Sequence, residues 1–159
     1  MNTLSKLYLG SEPVAVRVED DQLIVLLADD RTLMLPLAFV SQVAHLQPLA
    51  AEAQLLILRQ PPQIDHVHIT DTLLNVYLTD GRLLSCPLAW FPRLLHGTPA
   101  ERNHYELSGD GDVIYGPDLE EDIELTRLFE GGKSIESERS LQRWLLSRQT
   151  QVTPQMVAH

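Results

Sequence analysis

The alternation of apolar and polar residues predicts a group of antiparallel strands near the start of the chain. Every second residue from Val14 to Val18 is valine, which is the period of a half-buried strand. A denser apolar run follows over residues 23–28, and residues 33–35 complete a meander of three strands. Pro36 ends the last strand because proline has no amide proton for the ladder.

The same pattern occurs a second time, 51 residues further along the chain. Residues 67–90 repeat residues 16–39 without a gap, and 11 of the 24 positions are identical. The second copy has the stronger hairpin signal, Asp80-Gly81-Arg82. Neither half has enough apolar surface to bury alone, so we expect the copies to pack about a pseudo-twofold axis. The predicted fold is α+β: two tandem repeats of an antiparallel β-meander plus helix, followed by a C-terminal helix.

A helical pattern and a returning strand follow each meander. They cover residues 37–46 and 54–58 in the first copy, and residues 88–95 and 104–107 in the second. Pro61-Pro62 is the best boundary between the copies. The predicted organisation is an N-terminal repeat over 1–60, a full repeat over 61–133, and a helix with a tail over 134–159.

The charge of the chain is concentrated in its second repeat. The net charge is −10, and residues 61–133 contain 13 acidic side chains but only 5 basic ones. Such a surface repels a phosphate backbone, so we expect no direct binding of nucleic acid. A basic partner protein is the electrostatic match, and its association would be accelerated.

Compartment and reactive groups are constrained by a few residues. Cys86 is the only cysteine, so the chain has no intramolecular disulfide, which is typical of a reducing interior. The start of the sequence shows no signal-peptide pattern and no window is long and apolar enough for a membrane span, so we expect a cytoplasmic protein. Cys86 takes the place of Leu35 in the other copy, which indicates a buried core position. No catalytic triad, phosphate loop or cofactor motif is found, and we expect a protein that is not an enzyme.

An unbroken acidic segment over residues 106–124 is the first candidate site. It contains no Lys or Arg, and its acidic members are Glu106, Asp110, Asp112, Asp118, Glu120, Glu121, Asp122 and Glu124. Three interpretations stay open: a docking surface for a basic partner, a solvated acidic face, and a divalent cation site. Asp110-Gly111-Asp112 begins like a calcium loop, but the remaining ligand spacing is missing. His66 and His68 alternate on one strand and form only a weak zinc signal.

The last helix is the second candidate site. Leu141, Trp144 and Leu145 share one face of residues 137–148. Three arginines surround Trp144, namely Arg139, Arg143 and Arg148. This face either packs on the sheet or forms a seam with a partner or a second copy, since aromatic residues and Arg are enriched at interfaces.

Residues 63–148 resemble the bacterial domain-of-unknown-function family 2442. The matching motifs are Leu78-Thr79-Asp80-Gly81-Arg82, Pro87-Leu88-Ala89-Trp90-Phe91-Pro92, Pro117-Asp118-Leu119-Glu120-Glu121-Asp122-Ile123 and Ser140-Leu141-Gln142-Arg143-Trp144-Leu145. The resemblance implies a compact α+β unit with an antiparallel sheet. Members are often encoded beside small toxin-like proteins, some are treated as antitoxins, and others are fused to a helix-turn-helix domain. This chain differs in its degenerate first copy and in Gly116, where the family usually has a tryptophan.

These observations together predict a non-enzymatic interaction module. We expect an antitoxin-like or adaptor protein that binds a basic partner, such as a toxin, through an acidic surface. The expected partner-binding residues are Asp118, Glu120, Glu121, Asp122, Arg143 and Trp144. The alternative is a small-ligand or divalent-metal protein that uses the 106–124 segment, with Asp110 and Asp112 as the weak candidate ligands. A homodimer through the C-terminal helix is a further expectation.

Overall fold

The computed structural model describes residues 10–38 and 63–152. The predicted helix over 37–46 extends beyond the first of these ranges, and the predicted strand over 54–58 lies wholly outside them. Within the described residues the fold is α+β, as the sequence predicts, with one six-stranded and one three-stranded antiparallel sheet. No helix among the described residues is both long and apolar enough to cross a membrane.

The large sheet consists of two meanders placed edge to edge. Its strands are β1 (Pro13–Glu19), β2 (Gln22–Leu27), β3 (Thr32–Pro36), β4 (Ile64–Ile69), β5 (Leu73–Leu78) and β6 (Leu83–Pro87). Their order in the sheet is β1-β2-β3-β6-β5-β4, so β1 and β4 are the two edges. The three strands predicted for each meander are therefore present.

The two meanders join where β3 pairs with β6. Leu33 lies opposite Leu84, Thr32 opposite Ser85 and Met34 opposite Leu83. Leu33 and Leu84 are both buried, and Leu84 is the residue 51 positions after Leu33. The ladder makes the sheet continuous from one half of the chain to the other.

The remaining elements follow β6. They are a 3-10 turn (Leu88–Trp90), α1 (Pro92–His96), α2 (Pro99–Asn103), β7 (Glu106–Ser108), β8 (Val113–Gly116), β9 (Glu121–Glu124), α3 (Leu125–Phe129) and α4 (Glu138–Val152). The small sheet has the order β7-β8-β9. The core cluster consists of residues from β3 to β6 and from the 88–129 region.

The single helix predicted over residues 88–95 is interrupted. Phe91 has φ −123° and ψ 85°, because the residue before a proline avoids the helical region. A new helix then begins at Pro92. A second short helix, α2, was not predicted, although Thr98 and Glu101 form a capping box at its start.

The half-buried state predicted for β1 is wrong. Val14, Val16 and Val18 have exposed fractions of 64%, 59% and 59%. The physical reason is that β1 is the edge that the core cluster does not cover, whereas Ile64 and Val67 on the other edge belong to that cluster. In the row Val16–Val25–Leu33, burial increases toward the centre, where the core cluster covers the sheet.

Arg31 connects the first meander to the far end of the second half. Its guanidinium is fully buried and donates from Nη1 to the carbonyls of Leu128 and Phe129, at 2.7 and 2.9 Å. Nε donates to Asp29 at 2.9 Å, which neutralises the charge. A Cβ at Gly131, whose φ is +79°, would lie 3.0 Å from Arg31 Nη2 and 3.0 Å from Asp29 Oδ2. The left-handed backbone and the close approach both require glycine there.

The corresponding hairpin in the second meander has the same local pair. The amide and Nε of Arg82 donate to Asp80 at 3.1 and 2.7 Å. Burial lowers the pKa of the Arg82 guanidinium, and Asp80 opposes that shift. Both Asp-x-Arg turns thus place an arginine in the interior with its own counterion.

Replacing Arg31 with alanine tests its structural role. The change leaves Asp29 without its cation and removes the guanidinium donor from the Leu128 and Phe129 carbonyls, so we expect a loss of about 3–5 kcal/mol in the free energy of unfolding. Urea denaturation followed by circular dichroism measures this loss. Arg17→Ala is the matched control, because the Arg17–Glu19 pair is more than half exposed and should cost less than about 1 kcal/mol. Equal losses in the two variants would refute the role of Arg31.

Candidate functional site

The small sheet has one apolar face and one acidic face. Because side chains alternate along a strand, the register assigns Leu107, Ile114 and Ile123 to one face. Ile114 and Ile123 are buried in the core. We call the opposite side the acidic face, and its members are Glu106, Ser108, Val113, Tyr115, Asp122 and Glu124.

On the acidic face, Tyr115 of β8 lies between a carboxylate residue of β7 and one of β9. Glu106 is opposite Tyr115 on β8, and Tyr115 is opposite Asp122 on β9. Glu106 and Asp122 are exposed, while Tyr115 is half-buried. Glu124 lies in the next row and is also exposed. A Lys or Arg side chain placed over this row would meet an aromatic ring and carboxylates together, which is a favourable site for a cation.

Two further carboxylates lie in the turn between β8 and β9. Asp118 Oδ2 is 2.7 Å from Nδ1 of His104. Glu120 accepts from Nη1 of Arg93 at 3.0 Å, and its side chain is 75% exposed. Leu119 between them is fully buried and anchors the turn. Asp118 and Glu120 are therefore accessible, but each already has a local partner.

Glu121 points the other way from Asp122. It lies on the same side of β9 as the buried Ile123 and is itself half-buried. The pKa of Glu121 is raised to about 7, chiefly by burial; the charges of Glu136 and Asp122 contribute to this rise, and Arg93 opposes it. Glu121 borders a cleft of about 280 Å³ that Arg93, Glu120, Glu136 and Ser140 also line. The sequence run Glu120–Asp122 thus contains carboxylates with different surroundings.

Arg93 is the centre of an ion-pair network beside that cleft. Its Nε lies 3.0 Å from both carboxylate oxygens of Glu136, and Nη2 donates to Glu136 Oε1 at 2.7 Å. Nη1 also donates to the Leu119 carbonyl at 3.3 Å. Hydrogen bonding from Arg93 lowers the pKa of Glu136. The network connects α1, the β8–β9 turn and the segment before α4.

Two guanidinium groups of the same chain lie against the ring of Trp144. The carbon centres of Arg93 and Arg148 are 5.2 and 4.6 Å from the ring centre. Arg148 donates to both oxygens of Glu101 at 2.9 and 2.8 Å, and this contact lowers the pKa of Glu101 to about 2. Trp144 also packs against the core, which is the first of the two environments considered for this face. Arg143 is exposed on α4, and the role of both residues in partner binding stays a prediction.

The candidate metal ligands lie apart from other ligand groups. Asp110 and Asp112 are exposed in the turn between β7 and β8. Across residues 10–38 and 63–152, no group of three or more His, Cys, Asp or Glu side chains is placed to hold a metal ion. His66 stacks on Tyr77 with ring centres 4.3 Å apart, and its Nδ1 lies 2.6 Å from Asp65.

The prediction that Cys86 is a core residue is confirmed. Its side chain is fully buried on β6. Burial raises the pKa of the thiol to about 12, so the group is protonated at neutral pH. A protonated, inaccessible thiol is a poor nucleophile.

Sequence reasoning missed the importance of Tyr115 and the division of the acidic run. The signal was available in the period of two: Asp122 and Glu124 flank the apolar Ile123, which places both carboxylates opposite to it. Arg93 and Glu101 were also missed. The Thr98–Glu101 capping box could have located Glu101, whereas the Arg93–Glu136 pair has no local sequence signal.

Comparison with known proteins supports the resemblance over part of the chain. Residues 64–134 match the model of the family described as "Protein of unknown function (DUF2442)". The predicted family is thereby confirmed for the second meander, the small sheet and α3. No curated protein and no solved structure matches the chain.

The buried position of Glu121 predicts a specific pH dependence of stability. Its pKa rises from 4.5 in the unfolded chain to about 7 in the folded one, so the folded state holds an extra proton between these values. Stability from this group is therefore present below pH 4.5 and is lost as the pH rises through about 7. The free energy of unfolding of Glu121→Gln should equal that of the wild type at about pH 5 and exceed it at about pH 8, as measured by urea denaturation. A constant difference between the two proteins at both pH values would contradict the assigned environment.

Proposed function

We propose that the chain is a non-enzymatic, cytoplasmic interaction protein, antitoxin-like or an adaptor, whose acidic face binds a basic partner protein. The observation that supports this most directly is the arrangement of exposed Glu106, Asp122 and Glu124 around Tyr115 on one side of the small sheet. The carboxylates share a rigid sheet whose other side is anchored in the core.

The binding mechanism that we propose is occlusion of a basic site. Lys or Arg side chains of the partner would lie over Tyr115 and pair with the carboxylates in the two rows beside it. Asp118 and Glu120 extend the negative surface around the β8–β9 turn, although His104 and Arg93 reduce their contribution. Glu121 faces inward, so it would contribute to the electrostatic potential of the surface rather than contact the partner directly. The partner class of a toxin comes from the family resemblance.

The architecture that presents this face is proposed to be a duplication. Three observations support a degenerate first copy related to the second by a pseudo-twofold axis: the 51-residue sequence offset, the pairing of Leu33 with Leu84, and the matching hairpin bonds. The hairpin amides of Leu27 and Leu78 each donate at 2.9 Å, to the carbonyls of Arg31 and Arg82. Only the second copy carries the acidic face, so the first copy would serve mainly to complete the sheet.

The C-terminal helix supplies a secondary surface in this proposal. Arg143 and Leu146 are both exposed on α4. Since Trp144 already contacts Arg93 and Arg148, the helix would contribute through its outer side chains. A homodimer through α4 would use the same side chains.

Neutralising the acidic face tests the proposal. The triple variant Glu106→Gln, Asp122→Asn, Glu124→Gln should lose capture of a basic protein from host lysate, and its association with that protein should slow by about tenfold at low salt. Pull-down at low and high salt, followed by mass spectrometry and then biosensor kinetics on the identified protein, measures both effects. Wild-type binding should fall steeply with salt, and binding by the variant should depend on salt much less.

A second triple variant with the same change in net charge is the control. Asp30→Asn, Asp65→Asn and Glu138→Gln remove three exposed carboxylates outside the acidic face. The control should keep most of the binding. If both triple variants bind the partner equally well, the acidic face is not the docking site.

The divalent-metal alternative leads to a separate expectation. A ligand that binds the folded state raises the melting temperature by mass action. We expect unchanged melting in the presence of calcium, magnesium or zinc, as measured by differential scanning fluorimetry. A rise that Asp110→Asn and Asp112→Asn abolish would favour the metal-binding alternative over the interaction module.

A further inference from the structure

The two edge strands of the large sheet, β1 and β4, differ in whether their outward backbone groups have hydrogen-bond partners in the described part of the chain. At β4, the hydroxyl of Tyr105 accepts from the amide of Val67 at 3.0 Å and donates to its carbonyl at 3.2 Å. The amide of Ile64 on the same strand donates to the Gly111 carbonyl at 2.7 Å. The amide and carbonyl of Val67 and the amide of Ile64 are thus occupied by the chain itself, and such contacts protect this part of the edge from strand addition.

The backbone groups of Val16 and Val18 on β1 point away from the sheet. Asp20 and Asp21 both have positive φ, 47° and 61°, and form a two-residue turn between Glu19 and Gln22. Such a turn closes on a hydrogen-bonded pair, so Glu19 and Arg17 bond to β2, whereas the backbone groups of Val18 and Val16, which alternate with them, face outward. The equivalent register at β4 agrees, since Val67 lies opposite Val76 just as Val16 lies opposite Val25.

The side chains of this edge are also available. Val14, Val16 and Val18 each have more than half of their surface exposed. Among the described residues, no group is found that bridges Val16 in the way that Tyr105 bridges Val67. An edge strand with outward amides and exposed β-branched side chains is a template for another strand.

The charge at the end of β1 indicates which strand would fit. Glu19, Asp20 and Asp21 are exposed there, and Arg17 on the same strand makes only a half-exposed pair with Glu19 at 3.2 Å. A second copy paired antiparallel about Val16 would bring Pro13 and Glu12 to this acidic end, and neither supplies a cation. A partner with Lys or Arg at this end is therefore the better match.

We infer that β1 is a strand-addition site for an extended segment of a partner protein. The segment has β-branched residues at alternate positions and a Lys or Arg beside Asp20. It adds a seventh strand to the large sheet through the Val16 and Val18 backbone groups. This site belongs to the first meander and is separate from the acidic face, so either site can fail without the other.

A short peptide probe tests the inference on the full chain. The probe is a fluorescein-labelled peptide of about seven residues, with alternating valine and threonine and a lysine at each end. We expect saturable binding by fluorescence anisotropy, and slower amide hydrogen exchange at Val16 and Val18 but not at Val67. The same peptide with alternate backbone nitrogens methylated should bind at least about tenfold more weakly, because it cannot complete the ladder.

Two variants of Val16 separate the backbone from the side chain. Val16→Pro removes an outward amide, which edge strands tolerate, and should weaken binding by about tenfold or more. Val16→Thr keeps the amide and the β-branched shape and should bind more tightly than Val16→Pro. The methylated peptide acts on the wild-type chain and keeps the test decisive even if Val16→Pro does not fold.

Several results would overturn the inference. Equal binding of the methylated and unmethylated peptides would exclude strand addition. Equal binding of a peptide with glutamate in place of lysine would refute the assigned charge preference. Protection of Val16 that depends on protein concentration, without peptide, would identify a second copy as the occupant instead.

Discussion

The buried guanidinium of Arg31 is the contact on which the arrangement of the two halves depends. It comes from the first meander, yet it binds the last carbonyls of α3, nearly a hundred residues later in the chain. Carbonyls at the end of a helix need donors, and a buried cation needs a counterion, which Asp29 supplies. Together with the β3–β6 ladder, this contact makes the first meander part of the folded body around the family-like segment rather than an appendage to it.

The position of the charged surface follows from which side of the small sheet packs against the core. The small sheet packs Ile114 and Ile123 inward, so the alternating positions on β8 and β9 must face away from the core. Carboxylates are tolerated there at little cost because they stay hydrated. Glu121 is the exception, since it shares the inward side with Ile123, and its raised pKa is the consequence. A rigid sheet with its carboxylates on one side is suited to present a negative surface to a basic partner.

Local pattern was sufficient to predict the strands of the large sheet, the Asp80-Gly81-Arg82 hairpin turn, the last helix and the core position of Cys86, but it did not predict β9. It was not sufficient for β1, because the exposure of Val16 depends on which strand is the neighbour and where the sheet ends. From the sequence alone we grouped Asp118, Glu120, Glu121 and Asp122 as one binding surface, whereas strand alternation places Glu121 and Asp122 on opposite sides of β9. The Arg31 and Arg93 contacts join residues far apart in sequence, and such pairings have no signature in a single chain.

The most direct test of this account is the folding of the second half alone. A fragment of residues 61–152 lacks Arg31 and the β3 strand. Their loss exposes the Leu84 edge of β6 and removes the guanidinium donor from the Leu128 and Phe129 carbonyls. Analytical ultracentrifugation measures the mass of the fragment. The dispersion of its amide proton chemical shifts in an NMR spectrum reports whether it is folded. We expect the fragment to be either unfolded or associated through β6, and not to be a folded monomer. A stable, folded monomer of this fragment would contradict the claim that the two halves form one interdependent body.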